Sequence, residues 1–183
     1  TSICIGAGQA LTASGAGTYT QTIMSENFNA VTAGTTTSGN LPAGWNGASL
    51  TSGVRIWGVV ASAQSGSTLG GGNFLYCESD VYTAFQTRAE VITPVFNATG
   101  YLSVSIKFKH YYNDVSSGAA TDSGRVYVSN NGGSSWTLVQ QYDADQGTGF
   151  SSGGAVTATI PAGVSLTNNM KVKLVYNSDA GGN

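Results

Sequence analysis

Apolar and polar residues alternate in short runs along much of the chain. In the clearest run, YLSVSIKFKHYY at 101–112, apolar side chains take every second position and serine or lysine fills the positions between them. Successive side chains of a β-strand point to opposite faces of its sheet, so this pattern predicts a half-buried strand of an antiparallel sheet. The apolar face is Leu102, Val104, Ile106 and Phe108, and the polar face is Ser103, Ser105, Lys107 and Lys109.

Four later runs have the same strand pattern and are separated by residues typical of turns. No longer window repeats its apolar positions at the helical period. We therefore expect an all-β protein, a two-sheet antiparallel β-sandwich of the jelly-roll type. The four runs are RVYVS (125–129), WTLVQQY (136–142), AVTATIP (155–161) and KVKLVYN (171–177).

The segment GRVYVSNNGGSSWTLV at 124–139 predicts a β-hairpin with a tryptophan at the start of its second strand. Asn131-Gly132 is a strong hairpin signal, because both residues tolerate a positive φ. Trp136 has two interpretations: a platform for a ligand, or a ring that lies over the sheet and covers the end of the core. We favour the structural role, because buried aromatic rings contribute strongly to a small core.

The composition excludes several classes of partner. Charged residues are only 9% of the chain, and small polar residues replace them, with 22 Ser, 21 Thr and 26 Gly. The formal net charge is −2 and the seven basic residues are scattered, so the sequence has no basic footprint for a nucleic acid. The longest nearly apolar run, IWGVVASA, is too short to cross a bilayer, and we expect no membrane insertion.

The length of 183 residues suits one domain. We expect a β-sandwich over 23–183, preceded by an N-terminal extension or strand segment at 1–22. The first residues, TSICIGAG, do not form a signal peptide, so the chain is either intracellular or begins at a processed terminus; we favour the second. Cys4 and Cys77 are either buried thiols or a disulfide, and the extracellular composition favours the disulfide and a secreted or cell-surface location.

The candidates for catalysis are weak. His110 is the chain's one histidine and ends a predicted strand, where a packing or surface role is commoner than a general base. GFSSG at 149–153 matches G-x-S-x-G, but Ser151 lacks the preceding strand and following helix of a nucleophile elbow. Nothing singles out a catalytic pair among the nine acidic residues, and one His with two Cys is too few for a usual zinc site. We therefore expect no enzymatic activity.

Calcium is the metal that the residue types favour, because it prefers oxygen ligands from carboxylates, amides and backbone carbonyls. One cluster of such groups lies at 26–29. In DADQG, two carboxylates at alternate positions precede a glycine, although we favour an ordinary polar turn for that segment. The candidate ligands are Glu26, Asn27, Asn29, Asp122, Asp143 and Asp145.

A sugar-binding site needs an exposed aromatic ring beside polar groups. Tyr111 and Tyr112 are followed by Asn113 and Asp114, and one ring of the pair must face outward because consecutive strand residues point opposite ways. These four residues are the candidate glycan contacts. The alternative, which we favour, is a tyrosine that caps the margin of the sheet.

Six segments in one order resemble the MAM-like jelly-roll modules, in particular the choice-of-anchor J and cleaved-adhesin group of secreted bacterial surface proteins. The resemblance covers residues 23–177, and its specificity comes from the ordered set. The segments are SENFN (25–29), LPAGW (41–45), RIWGVVASAQSGS (55–67), GGNFLYCES (71–79), EVITPVFNATGYLSVSIKFKHY (90–111) and DSGRVYVSNNGGSSWTLV (122–139).

The resemblance implies a jelly-roll sandwich and a secreted or surface-attached, non-catalytic role in adhesion or carbohydrate contact. A structural calcium ion is frequent in such modules, and Glu26 is the ligand to which the resemblance points. Trp45, Trp57 and Trp136 match recurring positions of the family, which implies packing roles for all three.

Related modules continue beyond VYNSDAGGN into a final strand, whereas this sequence stops there. The resemblance therefore implies a sandwich that lacks its own last strand and has an unpaired edge. Such an edge can accept a strand from a neighbour. The segment 1–22 is the candidate donor, either to its own sandwich or to the next subunit.

Three functions follow as hypotheses. The first is a non-catalytic adhesion or binding module that contacts a surface glycan or a protein. The second is a structural subunit of an extracellular filament, in which copies of the chain assemble by strand donation. The third is an accessory domain of a secreted hydrolase.

Overall fold

The computed structural model describes residues 20–34, 40–51, 57–61, 72–77, 87–112, 122–146 and 154–178. These residues form nine β-strands and no helix, which confirms the predicted all-β class. The strands are β1 (Asn46–Ser49), β2 (Gly58–Val60), β3 (Phe74–Tyr76), β4 (Thr87–Ile92), β5 (Ser105–His110), β6 (Ser123–Ser129), β7 (Thr137–Tyr142), β8 (Gly154–Thr159) and β9 (Lys171–Ser178).

Five strands form one antiparallel sheet in the order β1-β4-β9-β6-β7. Two further pairs, β2–β3 and β5–β8, are also antiparallel. Strand β9 lies at the centre of the large sheet, so both of its faces are partly covered: Val172 and Val175 point in opposite directions and each is 5% exposed.

The core lies between the large sheet and the β5–β8 pair. Val126 and Val128 of β6 are buried on the inner face, and they alternate with the half-buried Arg125 and Tyr127 as the sequence pattern predicts. Half-buried residues from β5 and β7 pack against the cluster that contains Val128, so the sheets stack as in a β-sandwich. The buried members of this cluster are Ala98, Val128, Ile160 and Met170.

Strand β5 confirms the alternation and corrects its length. Ile106 and Phe108 are half-buried, whereas Lys107 and Lys109 are exposed. The strand begins only at Ser105, and Leu102, which the pattern placed on the apolar face, is 90% exposed. The strands thus form antiparallel sheets that stack as a sandwich. The jelly-roll connectivity remains a prediction.

The predicted hairpin joins β6 and β7, which pair in an antiparallel register with an irregularity between Val126 and Tyr127. The positive φ angles belong to Gly132 (72°) and Gly133 (100°), not to Asn131 as the sequence pattern indicated. Asn131 instead holds the turn through its side chain.

That side chain contacts both arms of the loop. Its Oδ1 accepts hydrogen bonds from Ser129 Oγ at 2.8 Å and from the Ser135 backbone N–H at 3.0 Å, and its Nδ2 donates to Ser135 Oγ at 2.8 Å. These side-chain bonds close the loop, and the two glycines that follow supply the positive φ angles that reverse the backbone.

The residues described include no helix long and apolar enough to cross a membrane. Most of the predicted N-terminal segment, 1–19, lies outside them, so the division at residue 22 remains a prediction.

Candidate functional site

One face of the five-stranded sheet lies opposite the face that carries Val126 and Val128, and it holds polar and aromatic side chains. We call it the outer face. Cross-strand partners point to the same side, so the registers of β4, β9 and β6 define its members. They are Arg88, Glu90 and Ile92 of β4, Lys171, Lys173, Val175 and Asn177 of β9, and Arg125 and Tyr127 of β6, with Trp136 from the hairpin loop.

Lys173 is the centre of this face. Its Nζ forms an ion pair with Glu90 Oε2 at 3.2 Å, and the two side chains are only 15% and 18% exposed. The same ammonium lies 5.4 Å from the centroid of the Tyr127 ring and 4.5 Å from that of Trp136. These distances are within the range of a cation–π interaction, which is strengthened by partial removal from water.

Trp136 reaches the outer face because of its register. Thr137 pairs with Val128, whose side chain enters the core, so the preceding residue points to the opposite side of the sheet. A Cβ at Gly133 would lie 3.4 Å from Trp136 Cζ2 and 3.8 Å from Lys171 Cδ. The half-buried indole therefore packs directly against the turn.

This position differs from the predicted role at the end of the core. Trp136 lies over the sheet, but on the face remote from the core. The other two tryptophans have packing contacts: Trp57 Nε1 donates to the Ala89 carbonyl at 3.2 Å, and Trp45 meets Phe28 edge to face at 5.7 Å.

Basic side chains flank the aromatic cluster on three strands. Arg125 Nε donates to Gln141 Oε1 at 2.9 Å, and Gln141 Nε2 in turn donates to Asp143 Oδ1 at 2.8 Å. Neither Arg88 nor Lys171 has a carboxylate at ion-pair distance within the part of the chain that the structure describes. Four of the seven basic residues of the chain thus gather on this face.

The linear sequence did not predict that these four basic residues share one face of the sheet. The signal was present in KVK at 171–173 and in TRAE at 87–90, where charged residues alternate with apolar ones. What the linear pattern did not contain was the strand order that makes β4, β9 and β6 neighbours.

The predicted calcium ligands at 26–29 are used in local hydrogen bonds. Glu26 Oε1 accepts from the Phe28 N–H at 2.6 Å, and Asn27 Oδ1 accepts from the Asn29 N–H at 3.1 Å. Asn29 Oδ1 accepts from the Asn73 N–H at 2.9 Å, which links this turn to the start of β3. These bonds shape a turn in which Phe28 has a φ of 62°.

The remaining candidates lie elsewhere. Asp122 is buried directly before β6, Asp143 accepts from Gln141, and Asp145 is exposed. Among the described residues, no three His, Cys, Asp or Glu side chains lie close enough together to hold a metal ion. Calcium binding therefore remains a prediction that rests on the resemblance and on residue types.

The two predicted glycan-contacting tyrosines differ in burial. Tyr112 is 7% exposed, and its ring meets Tyr176 edge to face at 6.4 Å. Tyr111 is half-buried, so it is the member of the pair at the surface. Asn113 and Asp114 lie outside the described residues.

His110 is held between aromatic rings inside the sandwich. Its ring centroid lies 5.2 Å from that of Phe108 and 4.5 Å from that of Tyr142. Nε2 is buried and has no hydrogen-bond partner among the described residues. Burial lowers the pKa of the imidazole below its ordinary value of 6.5, and burial likewise raises the pKa of Tyr142 above 10.0.

The second catalytic candidate and the disulfide are less defined. Ser151 of the GFSSG string lies outside the described residues. Cys77 is half-buried directly after β3, and Cys4 falls in the undescribed N-terminal part, so their pairing remains a prediction.

No family model, no curated protein and no solved structure matches the chain significantly. Fold and site together define an antiparallel β-sandwich protein with a basic and aromatic outer face.

Proposed function

We propose that the chain is a non-catalytic binding module of a secreted or cell-surface protein, and that it contacts a glycan through the outer face. The observation that carries this proposal is the cluster of Trp136, Tyr127 and Lys173. It combines aromatic surface, which suits the apolar faces of sugar rings, with donors and acceptors that suit hydroxyl groups.

The position of the cluster on strands supports a binding role. Lys173 and Tyr127 are direct cross-strand partners on β9 and β6, and Glu90 holds the ammonium from β4. Side chains on paired strands lose little freedom when a ligand binds, so such a surface is preorganised. The low overall charge and the resemblance to adhesion modules favour the same function.

The test is a glycan array probed with the labelled chain, in calcium and in chelator. We expect binding to be lost in Trp136→Ala and largely retained in Trp136→Phe, which keeps an aromatic ring. Leu102→Ala is the matched control, because this residue is 90% exposed and lies outside the strands. Equal binding by Trp136→Ala, once its folding is verified by circular dichroism, contradicts a role for the outer face.

A second candidate is a filament subunit, and one observation favours it. Strand β7 is at the edge of the five-stranded sheet, and its sequence, TLVQQY, contains no charge and no proline. Leu138 on this strand is 44% exposed. Edge strands usually carry charge, proline or bulges that prevent pairing with another chain. Strand β7 has an irregularity opposite Val126 and Tyr127 but neither charge nor proline, so it is a suitable acceptor for an added strand.

Light scattering and negative-stain microscopy separate the two candidates. Long ordered assemblies that disappear in Leu138→Lys support the filament, whereas a monomer of 18.6 kDa excludes it. A Lys in place of the exposed Leu102 is the control for the added charge.

A further inference from the structure

The outer face concentrates positive charge in a chain whose formal net charge is −2. Among the described residues it brings together four basic side chains and two acidic groups, Glu90 and Asp143. Glu90 is already paired with Lys173, and Asp143 accepts hydrogen bonds from Gln141. Within the part of the chain that the structure describes, the remaining cations have no carboxylate at ion-pair distance. They are Arg88, Arg125 and Lys171.

From this charge we propose that the outer face binds an acidic polysaccharide, whose carboxylate or sulfate groups contact these cations while its sugar rings lie on the aromatic cluster. The inference rests on the proposed glycan-binding function and specifies its ligand class. A neutral glycan offers no partner for the three cations, whereas an acidic one neutralises them.

The registers set the spacing of the charges. Arg88 and Arg125 are on the two strands that flank β9, about 10 Å apart across the sheet. Because Arg88 is opposite Asn177 and Arg125 is opposite Val175, they are also offset by about 7 Å along the strands. Lys171 lies near the hairpin loop, about 13 Å along β9 from the level of Arg125, which is opposite Val175. Tyr127 and Trp136 lie between these positions. The face is thus longer than one sugar ring and fits an extended chain with repeated charges.

A nucleic acid is the other polyanion to consider, and the count of cations disfavours it. A protein that makes about 6–10 phosphate contacts owes much of its DNA affinity to them. This face offers three basic residues that have no carboxylate partner among the described residues. Regularly spaced carboxylates between stacked sugar rings suit the mixed basic and aromatic surface better.

The test compares the binding of polygalacturonate, dextran sulfate, uncharged dextran and a single-stranded DNA oligonucleotide to the full chain. The test variant is Arg125→Gln/Lys171→Gln. The control is Lys107→Gln/Lys109→Gln, which removes the same charge from exposed positions of β5, on a strand outside the five-stranded sheet. A thermal melt verifies folding, and Lys171→Gln alone replaces the double variant if that variant does not fold.

We expect an acidic polysaccharide to bind and uncharged dextran not to bind. The affinity should fall about tenfold or more in the outer-face variant and less than about twofold in the control, and it should weaken as NaCl rises from about 20 to about 200 mM.

Four outcomes overturn the inference. Equal, salt-insensitive binding of uncharged dextran overturns the ligand class and leaves the proposed function standing. Absence of binding to every polysaccharide overturns both. Equal losses in the two double variants show that net charge, and not the outer face, is responsible. Preference for the DNA oligonucleotide shows that the ligand is a nucleic acid and not an acidic polysaccharide.

Discussion

Lys173 joins two parts of the molecule: its ammonium lies 4.5 Å from the ring centroid of Trp136 and 3.2 Å from the carboxylate of Glu90. The tryptophan belongs to the loop between β6 and β7, and the glutamate belongs to β4, two strands away from β6 in the sheet. One side chain of β9 therefore ties the hairpin loop to the opposite half of the sheet. The contact holds the Trp136 ring on the outer face, to which the register of the hairpin already directs it.

Replacement of Lys173 by Met should lower the free energy of unfolding by about 2 kcal/mol, because it leaves the carboxylate of Glu90 mostly buried and without its cation. The double variant Lys173→Met/Glu90→Gln should recover part of this loss, since no buried charge then remains. Urea unfolding of both variants measures the difference.

Lys109 is the control for this prediction, because it is an exposed lysine on β5. Its replacement by Met should change the free energy of unfolding by less than about 0.5 kcal/mol. A Lys173→Met chain as stable as the original shows that the ion pair contributes nothing to stability.

Met170 should be the most sensitive methionine. It is fully buried in the core cluster, its backbone N–H and carbonyl both bond to Phe96, and Thr167 N–H approaches its sulfur at 3.4 Å. Met170→Ala should cost about 2–5 kcal/mol of unfolding free energy, and Met170→Leu less than about 1.5, because the second keeps the volume of the side chain.

Met24 provides the comparison, since it is 39% exposed. Met24→Ala should cost less than about 0.5 kcal/mol in the same denaturant titration. Similar losses for the two alanine variants contradict the assignment of the core to the cluster around Met170.

Gly133 should resist substitution. Its φ of 100° lies in a region that L side chains rarely adopt, and an added Cβ would contact Trp136 Cζ2 at 3.4 Å. Gly133→Ala should therefore destabilise the fold by about 1–3 kcal/mol and also alter the near-ultraviolet circular dichroism of the tryptophan. Ser134→Ala, at an exposed position of the same loop, should leave both the stability and the spectrum nearly unchanged. A stable Gly133→Ala chain with an altered spectrum would separate the two effects and contradict the strain argument.

His110 predicts a loss of stability in mild acid. Burial lowers its pKa in the folded chain, so in the pH range below 6.5 the unfolded chain binds a proton that the folded chain does not. The free energy of unfolding should therefore fall as the pH decreases from above 6.5, and should level off below the lowered folded-state pKa. Phe108 and Tyr142 are the rings that exclude water from the imidazole.

The control for this pH dependence is His110→Phe, which keeps a ring between the same neighbours and does not titrate. Denaturant titrations from about pH 7 to pH 5 should show a shallower slope for this variant than for the original chain. Identical slopes assign the acid sensitivity to carboxylates instead of His110.

Local patterns predicted much of the architecture because a strand's alternation is contained in neighbouring residues. Val126 and Val128 are buried, Lys107 and Lys109 are exposed, and the glycine-bearing loop forms a hairpin, all as their spacing indicated. The errors fall at the ends of elements. Leu102 has the right spacing for β5, but the pairing of β5 with β8 starts only at Ser105. The Leu102 side chain therefore remains in solvent.

The candidate site was much less accessible to the same reasoning. The sequence predicts metal ligands at 26–29 because several side-chain oxygens are close together there. In the structure those oxygens accept hydrogen bonds from backbone N–H groups. Tyr112 was considered for a glycan because polar residues follow it, and its ring packs against Tyr176. Whether a polar side chain serves its own turn or a ligand depends on geometry that composition does not contain.

By itself, then, the sequence determined the strand-forming alternation, the hairpin and the all-β class, because each depends on residues a few positions apart. Only the tertiary structure decided that basic residues scattered over 88–173 share one face with Trp136. The physical reason is that the pairing of β4, β9 and β6 sets both the order and the register of distant segments. A shift of one residue in either register would turn the affected side chains toward the core.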